Sequence, residues 1–368
     1  MADRLLVGTH KGLFRVVRVG EGRWEIEHSW FLGDPVSMVL AVAGNGHIYT
    51  ALDLGHFGVK MQRSQDDGTN WNEAPVPTYP DKPDGLEERD PFRDLEIPWS
   101  TQKIWSLAAG MPGELWCGVI LGGLFHSTDG GDNWTLIRAL WDDPRRKQWM
   151  GGGYDFAGIH SILVDPRDLA HVIVGVSVGG VWTTGDSGAH WELIGEGLRN
   201  AYMPPDQVAD PLTQDPHCIV QCPAHPDRLW MQHHNGIFVS DDGGKRWREL
   251  HNVLPSNFGF AVAVHPTDPD IAWFVPAQKD EQRIPVDGRF VVTRTRNGGD
   301  RFDILDSGLP QSHAYDLVYR HALAVDDRGE RLAIGSTTGS LWVSEDQGDT
   351  WHGVSHHMPP ILCAQFQT

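Results

Sequence analysis

The chain has 368 residues, 40% of them hydrophobic, which is enough to bury a large core. It carries 30 Lys and Arg against 49 Asp and Glu, and this formal net charge of −19 argues against nucleic acid and anionic membrane surfaces as partners. The N-terminus shows no cleavage signature and no apolar run is long enough to cross a bilayer, so we expect a cytoplasmic protein.

Short β-rich runs follow one another along the whole chain. The first three are 4–8, 13–17 and 24–27. Runs of the same kind as the first recur at 47–52, 114–118, 171–175, 228–232, 271–275 and 331–335. Each is followed by a second strand and then by a turn. Strands of this length, separated by turns, predict an all-β array.

One motif, Ser/Thr-x-Asp-x-Gly-x-x-Trp, accompanies these strands. It begins at Ser64, Ser127, Thr184, Ser240 and Ser344, and a relaxed copy with Asn and Phe begins at Thr295. A spacing of 49 to 63 residues between copies is the size of one propeller blade. The Asp or Asn side chain can bond the backbone of a tight turn, and Gly supplies the positive φ of a hairpin. The alternative is that the acidic residues hold calcium, although the spacing departs from an EF-hand.

The two ends of the chain predict how the array closes. The N-terminal blade begins with its second strand and lacks an innermost one, whereas an unpaired strand, 361–366, follows the last complete blade. We therefore expect the C-terminal strand to pair with the N-terminal blade, which removes exposed sheet edges. Six motifs and this split blade predict a single domain over 1–368, an all-β, seven-bladed β-propeller of four-stranded antiparallel blades.

The motifs resemble the Asp-box, or bacterial neuraminidase repeat, of sialidases, sortilin, some xyloglucanases and the photosystem II assembly factor. The resemblance extends over essentially the whole chain and is strongest to bacterial proteins labelled exo-α-sialidase-like or glycosyl hydrolase-like. It implies the propeller fold. It does not imply one activity, because proteins with unrelated activities share this turn.

Histidines gather where the strands meet the longer loops. With strands lettered A to D from the axis to the rim, D–A and B–C loops share one face, and the long ones are 73–103, 138–160, 195–217 and 276–289. His160, His217 and His321 each open an A strand, so they are candidate ligands for a divalent transition metal (Zn, Mn, Fe or Cu) in the channel. The alternative is that each histidine caps its strand by bonding backbone groups.

Other ionisable residues on this face are candidates for catalysis. His234 lies in a B–C loop and is a candidate acid or base. Glu281 is a candidate general base if it is buried beside the channel, and Arg283 is a candidate partner for a substrate carboxylate. Tyr154 is a candidate proton donor. The alternatives are a solvated loop with internal ion pairs for 280–289 and simple packing for Tyr154.

Three functions fit these residues. The first is a histidine- or metal-dependent hydrolase or lyase acting on a small or carbohydrate-like substrate at the channel mouth; the run Gln232-His233-His234 is faintly similar to the Gln/His ligands of Mn-bound oligogalacturonate lyases. The second is a non-catalytic scaffold that binds a protein on the long-loop face. The third is a sialidase-like glycosidase. Arg283-Ile284-Pro285 matches the sialidase Arg-Ile-Pro motif but falls in the sixth blade, and the rest of that catalytic set is not found.

Overall fold

The computed structural model describes residues 3–367, which form seven sheets of four antiparallel strands. Blade 1 runs outward from β28 (Ile361–Gln367) through β1 (Arg4–Thr9) and β2 (Gly12–Gly20) to β3 (Arg23–Trp30). This is the split blade expected from the sequence. The prediction of a seven-bladed, all-β propeller is confirmed.

The other six blades follow the chain from the inner to the outer strand. Their strands are β4 (Val36–Ala41), β5 (Ile48–Asp53), β6 (Val59–Ser64) and β7 (Asn72–Ala74); β8 (Lys103–Ala109), β9 (Leu115–Ile120), β10 (Leu124–Ser127) and β11 (Thr135–Leu136); β12 (Ile159–Val164), β13 (Val172–Val176), β14 (Gly180–Thr184) and β15 (Glu192–Ile194); β16 (Pro216–Cys222), β17 (His225–His233), β18 (Gly236–Ser240) and β19 (Arg248–Leu250); β20 (Gly259–Val264), β21 (Ala272–Pro276), β22 (Val292–Thr295) and β23 (Phe302–Leu305); β24 (Leu323–Val325), β25 (Leu332–Gly335), β26 (Leu341–Ser344) and β27 (His352–Ser355).

The hydrophobic core lies between neighbouring sheets and is rich in tryptophan. Four successive blades each bury one such ring completely, those of Trp116, Trp182, Trp230 and Trp273. Because each ring removes roughly 150–250 Å² from water, these contacts dominate the packing of one blade on the next. The four cysteines are buried free thiols in strands of the sheets.

The repeated motif forms the same hydrogen-bonded turn in six blades. In the first copy, Ser64 Oγ accepts from the Gly68 amide at 2.8 Å and donates to Asp66 Oδ1 at 2.9 Å. Asp66 Oδ1 also accepts from the Asn70 amide at 2.8 Å. The corresponding hydrogen bonds recur in the other five copies. The acidic side chain therefore bonds the backbone of its own turn, as the sequence predicted.

The ring closes between the seventh and first blades. Strand β28 pairs with β1 over six residues and contacts both β4 and β24, the innermost strands on either side. Farther out, the Arg18 guanidinium donates two hydrogen bonds of 2.8 Å to the Glu345 carboxylate, which also accepts from Trp24 Nε1 at 2.9 Å. Both contacts join the beginning of the chain to its end.

The long loops on one face carry little regular structure. They contain a one-turn α-helix, α1 (Arg138–Trp141), and 3-10 turns at Gly55–Phe57, Pro144–Gln148, Pro211–Thr213 and Val286–Gly288. Within residues 3–367, no helix is both long and apolar enough to span a bilayer. The loops start and end on the regular strands of the propeller, so their ends have fixed positions around the channel mouth.

Candidate functional site

Three side chains of types that can ligate a metal converge at the channel mouth on the long-loop face. Asp215 immediately precedes the innermost strand β16, His217 is its second residue, and His234 follows β17 in the adjoining turn. One ligand atom from each residue lies within 4.8 Å of the others. Because side chains alternate along a strand, positions 215 and 217 point to the same side. The turn after β17 brings His234 back to them.

His217 is held with one ring nitrogen free. Its Nδ1 donates to the backbone oxygen of Gly259 at 2.7 Å, which places the second nitrogen, Nε2, as the acceptor. Phe260 stacks on the imidazole with a centroid separation of 4.5 Å and an interplanar angle of 12°. Burial lowers the pKa of His217 to about 3, so the ring is neutral and able to ligate a metal at neutral pH.

Asp215 is held equally firmly. Its Oδ2 accepts from the Tyr202 hydroxyl at 3.1 Å and lies 3.4 Å from Nδ1 of His234. Its Oδ1 is buried and has no hydrogen-bond partner among the described residues. A methyl group added at Gly152 would lie 3.1 Å from Oδ1, so this oxygen faces a glycine of the loop 138–160. One carboxylate oxygen is therefore oriented and the other is free.

The charges of these groups depend on one another. Burial alone would raise the pKa of Asp215, but its contact with His234 and the charges of the neighbouring histidines hold that pKa far below its usual range. Burial alone would lower the pKa of His234, but the Asp215 carboxylate raises it. The site therefore contains a buried carboxylate paired with the His234 imidazole, the electrostatic setting of a metal ligand or an acid–base pair.

A cavity of about 260 Å³ opens beside these residues. Two residues connect the cavity to the cluster. Phe260 lines the cavity and stacks on His217, and Gly152 lines the cavity and faces Asp215. Its other walls include Trp105, Tyr154 and Tyr319. A pocket with aromatic walls next to a cluster of ionisable groups is a candidate binding site.

The histidines predicted to form the metal site are only partly brought together. His217 belongs to the cluster, but His160 and His321 do not; a second cavity, of about 230 Å³ deeper in the channel, is lined by both of them. His321 lies two residues before β24, and its Nε2 bonds the backbone oxygen of His160 at 2.8 Å. Burial lowers the pKa of His321 to about 4. The three residues that lie together are thus Asp215, His217 and His234, and a role of His160 and His321 as metal ligands stays a prediction.

The proposed catalytic residues have different surroundings. Glu281 has a side chain 75% exposed and lies 3.6 Å from Lys279, so the burial expected of a general base is absent there. Arg283 lines the mouth cavity and donates from Nε to Asp280 at 3.0 Å. Tyr154 also lines the cavity, and its hydroxyl accepts from Lys103 Nζ at 3.0 Å. Arg283, Tyr154 and His234 therefore remain candidates, whereas the environment of Glu281 is that of a solvated loop residue.

Sequence reasoning missed several residues of this site. Asp215 was overlooked, although the alternation of the strand already placed it on the same face as His217. Arg320 was overlooked beside His321, and Phe260 was not singled out. Tyr202 lies in an irregular loop, and no sequence pattern indicated that it reaches Asp215.

Comparisons with known proteins bear on the fold more than on the site. No family model matches the sequence. An 82-residue stretch is 37% identical to the oligoxyloglucan-reducing end-specific xyloglucanase of Emericella nidulans, covering 22% of this chain and 9% of that enzyme. The GH74 xyloglucanase of Xanthomonas campestris matches all of this chain over 52% of its own length, with a TM-score of 0.63 and 17% identity.

A third similar structure is that of YCF48 bound to D1 peptide. The match covers 86% of this chain and 81% of the YCF48 chain, with a TM-score of 0.54 and 15% identity. The present chain thus spans about half the length, or less, of the two xyloglucanases it matches. At 15 to 17% identity the two solved structures show a common propeller fold.

Proposed function

We propose that the protein is a metal-dependent hydrolase or lyase acting on a carbohydrate-like substrate at the mouth of its channel. The observation that carries this proposal is the convergence of Asp215, His217 and His234. Two imidazoles and one carboxylate suit Zn²⁺, Mn²⁺ or Fe²⁺, and Cu²⁺ is also compatible with the imidazoles.

The surroundings of the three residues fit a metal ion. The buried Oδ1 of Asp215 has no other partner, and Nε2 of His217 is left free by the bond from Nδ1 to Gly259. The Tyr202 hydroxyl bonds Asp215 and the Phe260 ring stacks on His217, so both side chains are held in place, as metal ligands are by their neighbours in metal sites. An ion bound here would act as a Lewis acid and lower the pKa of a water ligand.

The chain's own residues supply the remaining functions of such a site. The ammonium of Lys103 donates to the Tyr154 oxygen at 3.0 Å and orients this hydroxyl, which fits a role for Tyr154 in proton transfer. Trp105, Tyr154 and Phe260 present aromatic surface on which a sugar ring can pack. The similarity to two named xyloglucanases adds support for a carbohydrate-like substrate.

The test is an activity screen on oligosaccharides that detects new reducing ends for hydrolysis and unsaturated products for elimination. Parent protein is assayed after chelation and again after each metal is restored. We expect activity only with a metal, and a loss of about 100-fold or more in Asp215→Asn and His217→Ala. His190→Ala is the matched control, because His190 is exposed and lies in a turn on the opposite face. Equal activity of parent and both site variants would contradict the proposal.

A second candidate function, a protein-binding scaffold, is favoured by a separate observation. Large apolar side chains are exposed in D–A and B–C loops of the same face: Phe57 (74%), Phe92 (75%), Leu254 (59%) and Tyr315 (62%). Exposed aromatic side chains can serve as anchors for a protein partner. The structure of YCF48 with a D1 peptide gives an example of peptide binding on a similar fold. A scaffold would tolerate His217→Ala and lose its partner when Phe92 is changed to Ser.

A further inference from the structure

The walls of the mouth cavity carry positive charge and no carboxylate. Among the residues that line it are Lys103, Arg283 and Arg320, and none of the lining residues is Asp or Glu. The whole chain has 49 acidic and only 30 basic residues, so this local excess is opposite to the composition. A cleft lined by charges of one sign raises the local concentration of ligands of the opposite charge.

Arg320 differs from the other two cations because nothing in the described protein pairs with it. It is 8% exposed, and its Nε and Nη2 atoms are buried without hydrogen-bond partners. Its guanidinium instead lies over two rings, 4.7 Å from the centroid of Trp105 and 5.5 Å from that of Phe260. A buried guanidinium that donates no hydrogen bond costs stability, so a fold that retains one has a reason beyond packing.

The charge balance indicates how much negative charge the cavity accepts. Lys103 lies 3.4 Å from Asp53, and Arg283 bonds Asp280 at 3.0 Å, so each of these cations already has a carboxylate. Only Arg320 lacks a carboxylate in direct contact among the described residues, although the charge of Asp215 acts on it from farther away. One unpaired guanidinium matches a monoanion such as a carboxylate better than a phosphate dianion. A planar guanidinium also suits the two oxygens of a carboxylate.

The shape of the cavity indicates what carries the carboxylate. A volume of about 260 Å³ is close to the lower limit of small-molecule pockets and fits one sugar ring rather than an extended chain. Trp105, Tyr154, Phe260 and Tyr319 supply apolar walls for the flat faces of such a ring. We infer that the mouth cavity is a subsite for an acidic sugar, whose carboxylate pairs with Arg320 beside the Asp215/His217/His234 cluster. This inference deepens the proposed function and rests on it for the sugar-like nature of the ligand.

The test measures binding and requires no turnover. Protein kept in chelator is titrated calorimetrically with glucuronate, glucose, inorganic phosphate and an N-acetylated dipeptide with a free carboxylate. We expect glucuronate to bind at least about tenfold more tightly than glucose or phosphate, a difference that one charge-assisted contact supplies. Equal binding of glucose and glucuronate, or tighter binding of phosphate or of the dipeptide, would overturn the inference.

Variants separate a binding role of Arg320 from a structural one. Arg320→Met should abolish the preference for glucuronate while leaving the melting temperature unchanged or raised, because it removes an unpaired buried charge at similar volume. Arg289→Met is the matched control; Arg289 is an exposed arginine, paired with Asp306 at 3.3 Å, and its loss should leave binding unchanged. An Arg320→Met protein that folds and still prefers glucuronate would overturn the binding role, and one that fails to fold would show that the guanidinium is structural. Because chelator is present throughout, failure of the metal-dependent activity would leave these results intact.

Discussion

Closure of the ring by the C-terminal strand makes the stability of the whole propeller depend on a few residues near the chain end. Phe366 in β28 is 4% exposed and meets Trp24 of β3 edge-to-face, with ring centroids 6.1 Å apart. Replacing Phe366 by Ala removes this contact and leaves a cavity between the first blade and its neighbours. Buried Phe-to-Ala changes cost about 3–5 kcal/mol, and we expect a loss in that range here.

The assay is urea unfolding followed by tryptophan fluorescence, with the midpoint converted into a free energy of unfolding. Val19→Ala is the matched control, because Val19 lies on β2 of the same blade and is 47% exposed. Its change should stay within about 0.5 kcal/mol. Removal of residues 361–368 should lower the midpoint further, because it also exposes the edge of β1. A Phe366→Ala protein as stable as Val19→Ala would refute the reasoning that the two chain ends hold the ring together.

Three further predictions concern the turns and the closing seam. Ser127→Ala removes the hydroxyl that bonds the Gly131 amide at 2.9 Å and should lower the free energy of unfolding by about 1–2 kcal/mol, while Thr128→Ala, an exposed neighbour, should not; equal effects would contradict the role given to the turn. Gly8→Ala would place a methyl group 2.5 Å from a cysteine sulfur of β28, so thermal melting should show a loss of about 1–3 kcal/mol, and an unchanged melting temperature would argue against this packing. The Arg18 hydrogen bonds lower the pKa of Glu345 from 4.5 to about 2. The stability that Glu345 contributes to the fold is therefore complete above about pH 4.5 and is lost as the pH falls toward 2, by at most about 3 kcal/mol. A Glu345→Gln protein with the same acid sensitivity as the parent would contradict this assignment.

The fold could be predicted well from the sequence because it depends on short-range interactions that repeat in each blade. Each Ser/Thr, Asp and Gly of the motif acts within one turn, so its role depends on residues at most four positions away. The split first blade followed from a simple count of strands at the two ends. Neither inference required knowledge of how the loops run.

The candidate site was predicted less completely because it depends on loop paths. His217 and His234 were recognised, but their convergence with Asp215 requires the turn after β17 to return to the start of β16. His160 and His321 were expected at the same place because both are close to an innermost strand, but neither joins the cluster; both line a deeper cavity, and His321 also lines the mouth cavity. Glu281 was a candidate base only if buried, and its side chain is 75% exposed. Periodicity gives the direction of a side chain on a strand and gives nothing comparable for a loop.

Metal content tests the central claim most directly. Untagged protein is purified without chelators, exposed to trace Zn²⁺, Mn²⁺, Fe²⁺ and Cu²⁺, desalted and analysed for its elements, in parallel with His217→Ala and His321→Ala. A metal site at Asp215, His217 and His234 predicts close to one ion per chain in the parent and in His321→Ala, and almost none in His217→Ala. A parent without metal, or a His217→Ala protein that retains as much as the parent, would contradict it.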